Sequence, residues 1–343
     1  MSNTDPNLSS LSEVALLARV STGTASHVLN GNHKARIAPA TQERVRQAAE
    51  ELGYRPNLIA RSLLGKKTKI LGLMANNLDN PFFVAVARAA WQRAREIGYE
   101  MLLDAQFSSG TAFRDSPRPG IWPVDGALLW ANDVQDVGFL LGREARRLPL
   151  VYLGLASEAS CDAVTMDLGA GMRLIMDHIA QRGYRRPVMV VANAWEADVS
   201  TPDSRIQAFH GSCRKHGLPG TIIPLPPGPS PAEAALRMGL DLAALPPETR
   251  PDVAVCFNDQ TAIGVYHGLR RGGLQVPRDV AVTGFDGLAE GQCLDLPLTT
   301  AVVPIDLACG AGIEMLVSRI ERPVDDPPNR AVLPIRLQVG ATT

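Results

Sequence analysis

Ser21-Thr22-Gly23-Thr24-Ala25-Ser26-His27-Val28-Leu29-Asn30 decides how the beginning of the chain folds. Ser21 is a residue type that caps helices, and the segment through Leu29 reads as one short helix opened by it. Its small polar positions suit close approach to base edges and phosphates. Upstream, Ser10-Leu11-Ser12-Glu13 has the spacing of a capping box and opens an earlier short helix. That helix carries Val14, Ala15 and Ala18 on one face, and Arg19-Val20-Ser21 breaks its pattern. Two short helices joined by a tight turn form the helix-turn-helix plan, whose second helix enters the DNA major groove. Ser21, Thr22, Gly23, Thr24, Ser26, His27 and Asn30 are the candidate contacts there.

A third amphipathic helix follows, with Pro39 in its first turn and Val45, Ala48, Ala49 and Leu52 turned inward. Gly53-Tyr54-Arg55-Pro56-Asn57 ends it, and 57–66 has the pattern of one more short helix, marginal in water by itself. This N-terminal segment resembles the lactose/galactose-repressor (LacI/GalR) family of bacterial transcription regulators. The matching residues include Glu13-Val14-Ala15, Val20-Ser21, Thr24-Ala25-Ser26, Val28-Leu29-Asn30, Leu52-Gly53-Tyr54, Pro56-Asn57 and Ala60-Arg61-Ser62-Leu63. The resemblance implies that 57–66 is a hinge helix pairing with that of a second copy. Asn57, Ala60 and Arg61 would then touch DNA, and Leu63 would wedge into the minor groove and kink it.

Charge agrees with a nucleic-acid partner. Residues 8–69 hold ten basic and four acidic side chains, a net +6, in a chain whose total is −1. Phosphate contacts dominate nucleic-acid affinity, so this asymmetry matters more than the overall balance. The 343 residues suggest two or three domains. Cys161, Cys213, Cys256, Cys293 and Cys309 are odd in number and widely spread, and read as buried thiols in a reducing cytoplasm. No apolar run reaches membrane length and none has the form of a secretion signal, so a cytoplasmic protein is expected.

After residue 68 short apolar runs alternate with amphipathic helices. Strands are expected at 69–75, 101–103, 126–130, 150–153 and 163–166, then at 187–192, 221–225, 253–257 and 280–284. Helices fall between them, among them 81–97, 139–147, 205–216, 231–244 and 261–271. Strand-helix alternation predicts parallel sheets with right-handed crossovers, and two sets predict two α/β lobes. The family resemblance runs across this region and implies a periplasmic-binding-protein-like core with ligand between the lobes. The expected organisation is a helical head (8–55), a hinge (56–67) and a core (68–343). Within the core, 299–303 and 305–320 should return to the first lobe and 332–339 to the second, giving lobes of 68–167 with 301–326 and 168–297 with 329–343.

Open α/β sheets bind ligands at the carboxyl ends of their strands. By resemblance Phe83, Trp130, Arg205, Asn258 and Asp286 are assigned to effector binding, and the set suits a carbohydrate or sugar acid. Asp259 reads as a helix cap and is left out. Departures from the family count too. His27 stands where arginine is usual, Gly154 where an aspartate is usual, and Ala38 replaces a polar cap. The segment 107–123 is short and rich in Ser, Gly and Pro where the family has a helix. The sequence lacks GxGxxG, P-loop, GxSxG and HExxH motifs, so neither an enzyme nor a metal or other cofactor is expected. The expectation is a dimeric repressor of a near-palindromic double-stranded operator, with no membrane partner. Its alternatives are a regulator of the same family with a degenerate cleft and, less favoured, a solute-binding protein.

Overall fold

The computed structural model describes residues 9–29, 36–54, 67–75, 78–105, 123–131, 148–154, 161–192, 203–322 and 326–343. Asn30, Asn57, Ala60, Arg61 and Leu63, the 107–122 segment and the 139–147 helix lie outside them. The chain divides into two compact units, Met1–Thr68 and Lys69–Thr343.

The first unit holds α1 (Leu11–Leu17), α2 (Thr22–Leu29) and α3 (Pro39–Glu51). The capping box forms: Glu13 N–H donates to Ser10 Oγ at 3.3 Å, and Ser10 N–H donates to the Glu13 carboxylate at 2.6 Å. Thr24 N–H donates to Ser21 Oγ at 3.1 Å, so Ser21 caps α2. Val14, Ala15, Ala18, Ala25, Val28, Val45, Ala48 and Ala49 make one small core. Small side chains let three short helices pack closely.

α1 and α3 end alike, with different residues at the critical position. After α3, Gly53 takes φ 60°, and Tyr54 N–H reaches back to Ala49 O at 2.8 Å. After α1, Arg19 takes φ 55°, and Val20 N–H reaches back to Ala15 O at 2.9 Å. This left-handed turn costs a residue with a Cβ about 1 kcal/mol that glycine does not lose. Arg19→Gly should therefore slow hydrogen exchange of the α1 amides in the full chain, by a protection gain of about 1 kcal/mol. Faster exchange would contradict that account.

The second unit is built on two six-stranded sheets. The first takes β1 (Ile70–Ala75), β2 (Glu100–Ala105), β3 (Gly126–Ala131), β4 (Leu150–Gly154), β5 (Asp162–Met166) and β11 (Arg330–Leu333). Its order is β11-β5-β4-β3-β1-β2, parallel throughout. The second takes β6 (Pro187–Val191), β7 (Thr221–Pro224), β8 (Val253–Cys256), β9 (Ala281–Asp286), β10 (Thr299–Val302) and β12 (Arg336–Gln338). Its order, β12-β10-β9-β8-β6-β7, repeats the first, with only β12 antiparallel. β1, β4, β6, β8 and β9 are buried along their whole length, as strands covered on both faces must be.

The described helices of this unit are α4 (Pro81–Glu96), α5 (Leu168–Gln181), α6 (Ser204–His216), α7 (Pro231–Ala244), α8 (Asp259–Arg271), α9 (Ala289–Gln292) and α10 (Ile305–Glu321). α5 packs on α6 and the second sheet, while α10 packs on α4 and the first. The chain thus crosses between lobes three times, after β5, after β10 and after β11.

Two expected placements are corrected here. Residues 299–302 stay in the second sheet beside β9, and the crossing back begins only with α10. Val332 lies in β11 of the first sheet, and only β12 rejoins the second. Among the thiols, Cys213, Cys256 and Cys309 are buried, but Cys161 is half-buried and Cys293 exposed, correcting the uniform reading of the five.

Candidate functional site

In the head, Ser21, Thr22, Gly23 and His27 are exposed and Thr24 and Ser26 half-buried, while Ala25 and Val28 hold the inner face of α2. The side chains expected at DNA are thus on the outer side of a helix anchored by its other face. That arrangement can read a groove.

Both sheets reverse direction at equivalent points, between β1 and β3 and between β6 and β8. Such switch points open a crevice at the strands' carboxyl ends. Phe82 and Phe83 open α4 after β1, and Trp130 stands near the carboxyl end of β3. Asn80 caps α4 by accepting from Phe82 N–H at 3.0 Å. This fixes the Phe82 ring edge-on to Trp130 at 5.2 Å and to Phe83 at 5.3 Å. All three rings are buried.

In the second lobe, Arg205 sits in the first turn of α6. Its Nε and a terminal nitrogen donate to the two carboxylate oxygens of Asp203 at 3.1 and 2.8 Å, and its other terminal nitrogen donates to Phe257 O at 3.2 Å. The guanidinium lies 3.5 Å from the Phe257 ring centroid and 5.4 Å from that of Phe285. Burial pushes the Asp203 carboxyl up, but the Arg205 charge and hydrogen bonds outweigh it and hold the group below its usual range. The fork expected to await an effector is thus already engaged by a neighbouring carboxylate.

The helix cap expected at Asp259 falls one residue earlier. Asn258 caps α8, its carbonyl oxygen accepting from Thr261 N–H at 2.8 Å. Asp259 is buried and accepts from Gly287 N–H at 2.8 Å, Leu288 N–H at 2.6 Å and the Thr300 hydroxyl at 2.6 Å. It thereby ties α8 to the exit of β9 and to β10. Burial drives its carboxyl up to about 6, against those hydrogen bonds. Asp286 ends β9 at φ 130°, a strained conformation for a residue with a side chain. It is 6% exposed, and its Oδ2 has no hydrogen-bond partner. Burial and the nearby Asp259 charge push its carboxyl well up, with Arg205 opposing. It does not serve as a turn cap.

The lobes touch directly beside this cluster, where Gln260 Nε2 donates to Asp79 O at 3.1 Å. Gly154 ends β4 at φ 141°, so the carboxylate missing from that position could be restored only with strain. Sequence reasoning missed Asp203, Gln260 and the Phe257–Phe285 pair. Asp203 carried a usable signal, as an acidic residue at the cap of a helix whose second residue is Arg205.

Among the described residues no group of His, Cys, Asp and Glu could hold a metal ion, and no helix is long and apolar enough to cross a membrane.

Comparison with known proteins places these features. Residues 10–57 match the family described as bacterial regulatory proteins, lacI family, and residues 176–343 the periplasmic binding protein-like domain. The chain is 28% identical over 317 residues to the HTH-type transcriptional repressor PurR of Photobacterium profundum, covering 92% of each chain. It is 26% identical to the ribose operon repressor of Escherichia coli, over 97% of this chain and all of that one. Among solved structures, the lac repressor dimer bound to operator and the anti-inducer ONPF superposes with a TM-score of 0.76 at 22% identity, covering 98% and 99% of the two chains. The CelR–cellobiose complex gives 0.65 at 24% identity, over 98% of this chain and all of that one. A helix-turn-helix unit joined to a two-lobed core with a crevice at its switch points, read with these relatives, makes the chain a DNA-binding transcriptional regulator that carries a lacI-family helix-turn-helix domain and a periplasmic-binding-protein-like ligand-binding domain.

Proposed function

We propose that the chain is a homodimeric repressor, acting in the cytoplasm, whose grip on a near-palindromic operator is set by a small hydroxyl-rich effector, and that it has no catalytic activity. The observation that carries this reading is the buried, unpartnered Asp286 carboxyl oxygen, at the carboxyl end of β9 beside Asp259 and Arg205. An unsatisfied buried acceptor costs stability, and a ligand hydroxyl or amine would satisfy it. The ribose operon repressor and the CelR–cellobiose complex among the similar proteins lend weight to a carbohydrate. The Arg205–Asp203 pair weighs against a sugar acid, because the guanidinium is already matched.

In the head, Ser21, Thr22, Gly23, Thr24, Ser26, His27 and Asn30 would face a half-site. Asn57, Ala60, Arg61 and Leu63 of the hinge would meet the operator centre, favouring a flexible pyrimidine–purine step. The effector would change how the lobes close and so whether the hinge is ordered, a coupling of about 1–3 kcal/mol.

Thermal melting against sugars, polyols and nucleobases, paired with binding to an operator selected from random DNA, tests the whole reading. Ligand at a hundredfold excess over its dissociation constant should stabilise the fold by roughly 2.7 kcal/mol. A flat panel with operator binding intact would favour a regulator without ligand control. Leu63→Ala should weaken the selected operator about tenfold or more, about 1.4 kcal/mol, and reduce its bend. Unchanged affinity and bend would remove the wedge.

A further inference from the structure

We propose that the effector is a cation: a hydroxyl-bearing frame with an ammonium group that seats against Asp286 Oδ2. The inference rests on the cleft being the ligand site, and three observations carry it.

The first is Asp286 itself, 6% exposed with one oxygen unpartnered. A second carboxyl, Asp259, lies beside it, and its own acceptors are taken by Gly287, Leu288 and Thr300. The second is the state of the nearby cation. Arg205 and Asp203 form a two-pronged ion pair with both side chains 10% exposed, so that positive charge is cancelled before any ligand arrives. Asp286 thus has a carboxyl and an already paired guanidinium as its charged neighbours. The third is the make-up of the strand exits. Among the described residues, the five that follow each of β1 to β10 contain five aspartates and glutamates altogether, and no lysine, arginine or histidine. Parallel strands deliver these exits to the ligand-binding side of a sheet.

In a low-dielectric crevice an anionic ligand would meet uncompensated like charge, whereas a neutral hydroxyl could offer only a dipole. An ammonium supplies both the donor that Oδ2 lacks and the charge that the cluster lacks. The charged groups facing Asp286 are Asp259 from α8 and Arg205 from α6, while β10 sets Val302 beside it. Burial and the neighbouring Asp259 push the Asp286 carboxyl well up from its ordinary range, with Arg205 opposing.

Three compounds built on one carbon bearing hydroxymethyl arms separate charge from shape: the Tris cation, neutral pentaerythritol and anionic bis(hydroxymethyl)propionate. Each is titrated calorimetrically into the full chain and into Asp286→Asn, from mildly acidic to neutral pH. The expected result is Tris binding at least about tenfold tighter than pentaerythritol, no heat from the carboxylate, and no Tris advantage in the variant. Equal or tighter binding of the neutral compound, binding of the carboxylate, no binding of any of the three, or an advantage that survives Asp286→Asn would each overturn the proposal. If the variant does not fold, the comparison on the unaltered chain decides alone. Stabilisation by a neutral sugar without preference for Tris would leave the carbohydrate cleft standing, whereas silence from both sets would remove both readings.

Discussion

Replacing Asp286 by asparagine should make the ligand-free chain more stable at neutral pH, by about 1–3 kcal/mol, the usual range for a buried polar group without a partner. The parent buries a carboxyl that solvent would ionise. Its folded form holds the proton more tightly than the unfolded form does. The associated stability is therefore complete below the ordinary carboxylate range and drains away as pH rises through the folded value. Asparagine keeps an acceptor for the Asp259 amide, removes the ionisation, and is among the residues that best tolerate positive φ. The two melting curves should meet at acid pH and separate toward neutrality. Asp259 stays in the variant, so a smaller decline should persist between 3.8 and about 6. A variant that melts lower than its parent at neutral pH would show that Asp286 supports the fold. A gain would mark it as a group kept at a cost for binding.

A still larger effect, of opposite sign, is expected at Gly268. α7 and α8 cross with backbone against backbone, through Gly239 and Gly268. A Cβ built on Gly268 would lie 2.7 Å from Gly239 Cα, and one on Gly239 would lie 2.8 Å from Gly268 Cα and 2.9 Å from Leu269 N. These neighbours are main chain and cannot swing aside. Gly268→Ala must push the helices apart and loosen Met238, Leu242, Val265 and Leu269 beneath them. The cost should be about 2–4 kcal/mol, at or above the usual range for overpacking a core, and Gly268→Val should prevent folding of the second lobe. Urea unfolding of the alanine variant measures this. A loss under 1 kcal/mol, roughly the range of ordinary surface changes, would mean that the crossing is looser than described. Because α8 also carries Asn258, Asp259 and Gln260 at its beginning, the alanine variant should disturb the crevice as well.

Local chemistry made much of this legible in the sequence. The capping box at Ser10 and Glu13, the Ser21 cap and the proline at the head of α3 are contacts between residues a turn apart, and spacing shows them directly. The buried strands announced themselves as apolar runs. Long-range pairing was less readable. The run Thr299-Thr300-Ala301-Val302 would fit either sheet by period and composition, and only its register with β9 fixes its place. Asn258 and Asp259 are adjacent polar residues at a helix start, where a shift of one position decides which caps and which points inward. The commitment of Arg205 depends on a partner two residues earlier, close in sequence yet meaningful only once Phe257 and Phe285 close around it.

The three crossings between lobes also govern the order in which the molecule can be built. The first sheet gains its sixth strand only from residues 330–333, and α10 must already have packed across β3, β4 and β5. The second sheet is completed only by 336–338. On a ribosome, the first lobe cannot finish until nearly all of the second has been made, although the head's three helices are complete after residue 54. Cutting the gene between β5 and α5 would leave the first sheet without β11 and α10, with an open edge suited to aggregation rather than to refolding, while the other fragment would keep all six strands of the second sheet.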